Sequence, residues 1–283
     1  MLKKILFYSF VAILASCSNS SEKSETVANA DSSSNAAKLS ESQPENEFAD
    51  FKFHMAITNI PSPFEVIDIL AKSGFQFNKS LTNSTENEIK YQSSDKLAMN
   101  YGAYVVDLIY LSSNQQFGDI KKYFLTSSSM AQKLDAGDSF KKIAGSRIEN
   151  NIDNRDSVNQ LMDALYSETD NYLRSNDRLL VASQILTGSW IESQYLTMQL
   201  LKDAEQNDKN KVVYEKVFEQ RVHIESLIKL LTEFEKEKSI KDLLVELKQL
   251  SKLYSEIKSS SVDKASISKL TEKLQSMRTK MIG

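Results

Sequence analysis

The chain has 283 residues, of which 41% are hydrophobic and 26% charged, so it holds enough apolar material for one or two packed domains. Its formal net charge is −3, and a chain of this charge lacks the concentrated basic surface with which proteins bind nucleic acid. One cysteine excludes a disulfide within the chain, and two histidines are too few for the usual zinc or di-iron ligand sets. We therefore expect no nucleic acid partner, no metal and no cofactor.

Residues 1–16 have the three parts of a secretory signal. Lys3 and Lys4 form the positive start, residues 5–14 the apolar run, and Ala15-Ser16 the small-residue exit. The apolar run is 10 residues long, whereas a helix needs about 20 residues to span a bilayer. Cleavage at this exit removes two of the 35 basic side chains and none of the 38 acidic ones, so 33 and 38 remain and the net charge becomes −5.

The sequence Leu14-Ala15-Ser16-Cys17 resembles the lipobox of bacterial lipoproteins, in which a leucine and two small residues precede a cysteine. The resemblance covers the first 17 residues. It implies diacylglyceryl transfer to the Cys17 thiol, cleavage before Cys17 and acylation of the new amino group, so that palmitate-type chains tether the protein to a membrane. Ser18 differs from the Asp associated with inner-membrane retention in some bacteria, which favours the outer membrane, on its periplasmic or surface face. The alternative is an ordinary cleaved signal with an incidental cysteine.

Residues 17–56 are predicted to form a disordered, acidic tether. The stretch from Ser18 to Asp50 is rich in Ser, Asn, Glu and Ala and nearly free of large apolar groups. Such a composition cannot bury enough apolar surface to offset the loss of chain entropy on folding. We interpret the segment as a spacer between the anchor and the body of the protein, with a role in binding as the alternative.

The remainder is predicted to be all-α, an antiparallel multi-helix bundle. The last proline of the chain is Pro63, and the following 220 residues contain few glycines and no Asn-Gly or Asp-Gly hairpin signal. This pattern leaves little room for the tight turns of a β fold. We expect a helical core domain at residues 57–205 and a C-terminal helical bundle segment at residues 206–283.

Capping residues, apolar stripes and polar links predict the positions of the helices. Ser62 and Pro63 predict the start of the first helix, and Gly74 predicts its end. Residues 75–92 then form a polar connection that is long enough to be a candidate functional element. Further helices are predicted at 95–112, 117–135, 138–151, 155–175, 177–205, 212–237, 240–257 and 267–281.

Heptad spacing distinguishes the last three of these helices. Their apolar residues recur every three or four positions, as in Leu227 and Leu231, in Leu243 and Leu247, and later in Leu274. Amphipathic helices with short links favour a coiled-coil-like three-helix segment. In the helix 177–205, small residues at Ala182, Ser189 and Ser193 predict the close approach of a neighbouring helix.

Two helices carry polar side chains that we expect to converge. Asn100, Tyr104 and Asp107 are spaced i, i+4, i+7, which places them on one edge of a helix. Trp190, the only tryptophan, and Glu192 lie midway along another helix. Packing of these helices would join an aromatic wall to an amide and two carboxylates, which predicts a small pocket. The alternative is a hydrogen-bonded polar layer that fixes the register of the helices.

The body of the chain also resembles uncharacterised all-helical lipoproteins of Bacteroidota-type bacteria. The resemblance rests on Ile60-Pro61-Ser62-Pro63, on Lys90-Tyr91, on Asn100-Tyr101-Gly102-Ala103-Tyr104 with Asp107 and Tyr110, and on Gly188-Ser189-Trp190-Ile191-Glu192. It implies a cell-envelope protein and brings no specific activity.

Two hypotheses for the function follow. In the first, the chain is a lipid-anchored helical module that binds or scaffolds another envelope protein, since no catalytic motif is present and no catalytic residue can be assigned. In the second, Asp107 and Glu192 beside Trp190 form the site of a small-ligand binder or a carboxylate-dependent hydrolase.

Overall fold

The computed structural model describes residues 44–137, 154–259 and 262–283. Cys17, the signal, most of the tether and the helix predicted at 138–151 lie outside these residues. Every long element in the described part is an α-helix and none is a strand, which confirms the all-α prediction. The helices are α1 (Pro44–Asn59), α2 (Pro63–Lys72), α3 (Ser94–Ser113), α4 (Phe117–Lys133), α5 (Arg155–Ser175), α6 (Leu179–Leu201), α7 (Lys211–Thr232), α8 (Lys238–Ser255) and α9 (Lys264–Ile282).

Helix α2 begins and ends as its sequence predicts. The Ser62 hydroxyl accepts a hydrogen bond from the Phe64 backbone N–H at 3.2 Å, and Pro63 occupies the first turn, where its missing N–H costs nothing. Ile67 and Leu70 are buried. Gly74 follows the helix with a φ of 81°, a conformation that glycine adopts without a steric penalty.

Helix α1 lies where the sequence predicted a disordered tether, which was expected to continue to residue 56. Phe53 and Ala56 are buried, and α1 packs against α7. Lys52 also forms an ion pair with Glu233 just after α7. The composition of residues 18–50 concealed this helix, because its buried residues come at the end of a long polar stretch. The folded body therefore begins N-terminal to residue 57.

The centre of the fold is an unusually close crossing of α3 and α6. A Cβ atom added to Gly188 would lie 2.0 Å from the Met99 carbonyl oxygen, and one added to Gly102 would lie 2.3 Å from the Ile185 carbonyl oxygen. The glycines therefore allow the two backbones to touch. Ser189 also meets Gly102, as expected of a small residue at a close contact.

Three short links reverse the chain with the same geometry. Gln115, Asp135 and Asp177 each adopt a φ near 58°, immediately after a helix. In each link, the N–H of the next residue bonds to the carbonyl five positions earlier, as in Gln116 to Leu111 at 2.9 Å. This is the Schellman arrangement, which satisfies the last carbonyls of a helix. Short reversals of this kind place successive helices side by side.

The C-terminal helices pack onto the same body. Helix α8 contacts both α7 and α9, and α9 packs against α6 and α3. The heptad residues Ile240, Leu247, Leu270 and Leu274 are buried, as their spacing predicts. All the described residues belong to one compact unit. Within them, no helix combines the length and the apolar character that crossing a membrane requires.

Candidate functional site

Helix α3 brings three of the predicted site residues to one buried edge. Asn100, Tyr104 and Asp107 are all fully buried. The Asn100 side-chain amide donates to the Met281 carbonyl at 2.8 Å, and the Tyr104 hydroxyl donates to the Ser84 carbonyl at 2.7 Å. The i, i+4, i+7 spacing therefore does place these polar groups together. Their partners come from α9 and from the long connection before α3.

Glu192 joins this edge through an arginine that the sequence reasoning missed. The Arg278 Nε donates to both Glu192 carboxylate oxygens at 2.9 and 2.8 Å, and its Nη2 lies 2.8 Å from Oε1. Nη2 also donates to the Leu81 carbonyl at 2.8 Å. The guanidinium lies over the Tyr195 ring, 4.1 Å from its centre. A signal was available, because residue 278 lies four positions after the buried Leu274 and so on the packed side of α9.

Asp107 completes the cluster, and its surroundings favour the neutral acid. Burial, and next the neighbouring Glu192 carboxylate, raise the pKa of Asp107 well above its usual range. One of its oxygens accepts from the Asn83 backbone N–H at 2.8 Å, whereas no N–H or other fixed donor reaches Oδ1. Protonation of Asp107 would remove its repulsion from Glu192, which is why their proximity raises the pKa of Asp107. The Glu192 carboxylate and the Arg278 guanidinium form the buried ion pair of this cluster.

The connection from Asn78 to Tyr91 covers the cluster. It contains two short 3₁₀ helices, Lys79–Leu81 and Thr85–Lys90. The Asn83 side-chain amide donates to the Tyr91 hydroxyl at 2.9 Å, and this hydroxyl lies 3.3 Å from the Ile282 carbonyl. The long polar connection, expected as a functional element, thus supplies hydrogen-bond partners to α3 and α9.

Trp190 does not join the cluster. Residues two positions apart on a helix point about 200° apart, so Trp190 and Glu192 lie on different sides of α6. The indole N–H donates to the Gln220 side-chain oxygen at 3.0 Å, and the ring packs edge-on against Tyr254 with 6.3 Å between the centres. The predicted aromatic wall therefore faces α7 and α8 instead of the two acids.

Together these contacts support a structural layer better than a catalytic centre. Asp107 and Glu192 have no exposed surface, and Arg278 is 4% exposed. A substrate would have to displace the covering connection to reach either acid. A buried ion pair such as Glu192–Arg278 fixes which helices meet and in what register.

An open groove lies on another side of α3 and α6, and sequence reasoning did not predict it. It has a volume of about 520 Å³ and is bounded by α3, α6, α8 and α9. Seven apolar residues line it, three of them methionines: Met99, Ile191, Ile240, Leu243, Val245, Met277 and Met281. Val245 is 52% exposed at the groove, whereas Ile191 and Ile240 are buried in its floor.

Five charged residues line this groove, and four of them have partners within the chain. The five are Asp95, Lys96, Asp242, Glu246 and Lys280. Lys280 and Lys273 both contact Glu246, at 2.6 and 2.5 Å. Asp242 pairs with Lys238, and Lys96 donates to the Gly283 carbonyl. Asp95, the fifth, lies in the first turn of α3, where the helix dipole favours an acid.

Comparisons with known proteins and a test for metal ligands complete the description of the site. Within the described ranges, no group of three or more His, Cys, Asp or Glu side chains is placed to hold a metal ion. No family model matches the chain, and neither do the curated proteins or the solved structures.

Proposed function

We propose that this chain is a lipid-anchored binding protein of the cell envelope, most consistent with the outer membrane, and that the groove between α3, α6, α8 and α9 is its binding site. Two features support the proposal. The lipobox ending at Cys17 provides the anchor. The methionine-rich groove provides an apolar surface that the described part of the chain leaves open.

The groove itself is the observation that carries the binding role. Its volume of about 520 Å³ lies within the roughly 300–1,000 Å³ typical of small-molecule sites, which are mostly apolar with a few placed polar groups. Met99, Met277 and Met281 have flexible, polarizable side chains that adapt to the shape of a ligand. We therefore assign the groove to a small apolar ligand, with scaffolding of another envelope protein as the competing outcome.

The binding role can be tested with a matched pair of variants. Leu243→Arg places a charge inside the groove, whereas Leu125→Arg makes the same change at a residue on α4 that is 56% exposed. Each protein is isolated from its native envelope, and its bound small molecules are extracted and identified by mass spectrometry. A compound that accompanies the wild type and the Leu125 variant, but not the Leu243 variant, is expected. Loss of a protein partner alone would favour scaffolding, and identical extracts from all three would contradict the proposal.

The anchor requires a separate experiment. We expect wild-type protein from cells fed radioactive palmitate to carry label and to sediment with membranes. Cys17→Ser removes the only thiol in the chain and should abolish both properties. Mass spectrometry that finds an unmodified Cys17 in exported protein from the native host would contradict lipid anchoring, whatever the groove binds.

A further inference from the structure

We infer that the ligand of this groove carries a neutral amide group, which pairs with the side chain of Gln184. The inference rests on the proposed function and specifies its ligand class: an apolar body with one amide. The groove supplies the apolar surface for the body, and Gln184 supplies the polar contact.

Gln184 is the exception among the buried side-chain amides. It lines the groove and is 3% exposed, and its carboxamide has no hydrogen-bond partner within the described part of the chain and faces the groove. By contrast, Asn83, Asn100, Gln194 and Gln220 are equally buried, and each of their side chains has a hydrogen-bond partner. The Gln184 nitrogen and oxygen reach solvent in the groove, so a ligand that fills the groove must replace their water contacts or leave the carboxamide unpaired.

The chemistry of a carboxamide specifies that partner. Gln184 offers an N–H donor and a carbonyl acceptor side by side in one plane. An amide on the ligand presents the complementary acceptor and donor in the same arrangement, so two hydrogen bonds form at once. An ester accepts one bond and leaves the Gln184 oxygen unpaired, which costs affinity because the bound ligand shields that oxygen from water.

The charges around the groove favour a neutral ligand. Glu246 forms an ion pair with Lys280, and Asp242 is paired with Lys238, whereas Asp95 and Lys96 carry opposite charges on adjacent residues. A carboxylate or an ammonium group on the ligand would lose its hydration while meeting charges of both signs around the groove. Among groups that could reach Gln184, an uncharged amide therefore fits best.

Four probes with the same apolar chain separate these possibilities. Decanoamide, methyl decanoate, decanoate and decylammonium are titrated by calorimetry into the full-length chain carrying Cys17→Ser, which allows work without detergent. We expect decanoamide to bind about tenfold more tightly than methyl decanoate, the difference made by one buried hydrogen-bonding group. Decanoate and decylammonium should bind more weakly than the amide.

Substitutions at Gln184 then assign the preference to this side chain. Gln184→Met keeps the length of the side chain and removes both polar atoms, so decanoamide should lose its advantage over methyl decanoate. Gln184→Glu replaces the N–H donor by a second acceptor, so the preference should move to decylammonium. Gln199→Met is the control, because Gln199 lies on the same helix but bonds to Gln275 outside the groove. It should bind like the wild type. Unchanged circular dichroism and thermal unfolding show that each variant is folded.

The outcomes distinguish the inference from the proposed function. Equal binding of decanoamide and methyl decanoate, unaffected by Gln184→Met, would overturn the role of the amide and leave the groove as an apolar binding site. Tightest binding of decanoate or decylammonium by the wild type would overturn the neutral ligand. If none of the four probes binds, both the inference and the small-ligand function are overturned.

Discussion

The buried cluster of Asp107, Glu192 and Arg278 and the open groove beside Gln184 are built largely from the same helices, yet they treat polar groups in opposite ways. In the cluster, two acids and an arginine are buried, and each finds a partner within the chain. In the groove, the charges stay around the opening and one amide remains unpaired in the floor. Polar side chains that the fold encloses serve the packing of the helices, whereas one that faces an open groove is available to a ligand.

The largest loss of stability, and the clearest contrast between the cluster and the groove, is expected at Arg278. Arg278→Met leaves the Glu192 carboxylate buried without its cation, which should lower the free energy of unfolding by about 3–5 kcal/mol. Lys280→Met removes a cation beside the groove that is 63% exposed in its ion pair and should cost less than about 1 kcal/mol. Urea unfolding at neutral pH measures both. Similar losses in the two variants would remove the contrast between cluster and groove.

A smaller effect is expected at Asp107. Asp107→Ala leaves the Asn83 N–H without its acceptor and should cost about 1–3 kcal/mol. Asp107→Asn keeps an acceptor for Asn83 and a donor for Glu192, so it should retain most of the stability.

The pH dependence checks the protonation of Asp107. Because the native pKa of Asp107 is raised above that of the unfolded chain, its contribution to stability is complete below the unfolded value of about 3.9 and is lost as the pH rises through the native value. Urea midpoints measured from acidic to alkaline pH should therefore fall more steeply for the wild type than for Asp107→Asn. Parallel curves would mean that folding does not raise the pKa of Asp107.

Gly188 connects the two regions, because it holds α6 against Met99 of the groove. Gly188→Ala forces a Cβ atom to within 2.0 Å of the Met99 carbonyl and should cost about 1–3 kcal/mol as the helices separate. Gly118→Ala in α4 meets no atom within 4 Å and should instead stabilise by about 0.4–1 kcal/mol. Thermal unfolding of the two variants should shift in opposite directions. Equal shifts would show that the close crossing is not needed.

The smallest effect on stability is expected at the mouth of the groove. Val245→Asp and Leu125→Asp change residues that are 52% and 56% exposed, so each should alter the free energy of unfolding by no more than about 0.5 kcal/mol. Only the Val245 variant should weaken binding of decanoamide. A large loss of stability at Val245 would mean that the groove is a packed part of the core.

Local features of the fold could be predicted from the sequence, and contacts between distant helices could not. The cap at Ser62, the apolar stripes and the edge formed by Asn100, Tyr104 and Asp107 depend on spacing within one helix, which periodicity reveals. The ion pair of Glu192 with Arg278 joins residues 86 positions apart. It depends on how α9 packs against α6, and no local pattern specifies that packing.

The groove was missed for a related reason. Leu243, Met277 and Met281 have the heptad spacing of a closed helical seam, and spacing cannot tell a closed seam from one that opens. Trp190 was wrongly assigned to the site. Its proximity in sequence to Glu192 suggested a shared site, but the two side chains point to different sides of α6. Gln184 carried no signal at all, because an unpaired amide can be recognised only after its surroundings are known.

Methionine methyl resonances test the central claim most directly, since Met99, Met277 and Met281 line the groove and Met130 and Met198 are buried elsewhere. The full-length chain carrying Cys17→Ser is labelled with ¹³C-methyl methionine, and spectra are recorded as decanoamide is added. The three groove methionines are expected to shift together along one saturable curve while Met130 and Met198 stay in place. Shifts confined to the other methionines, or an unchanged spectrum, would contradict the assignment of the groove as the binding site.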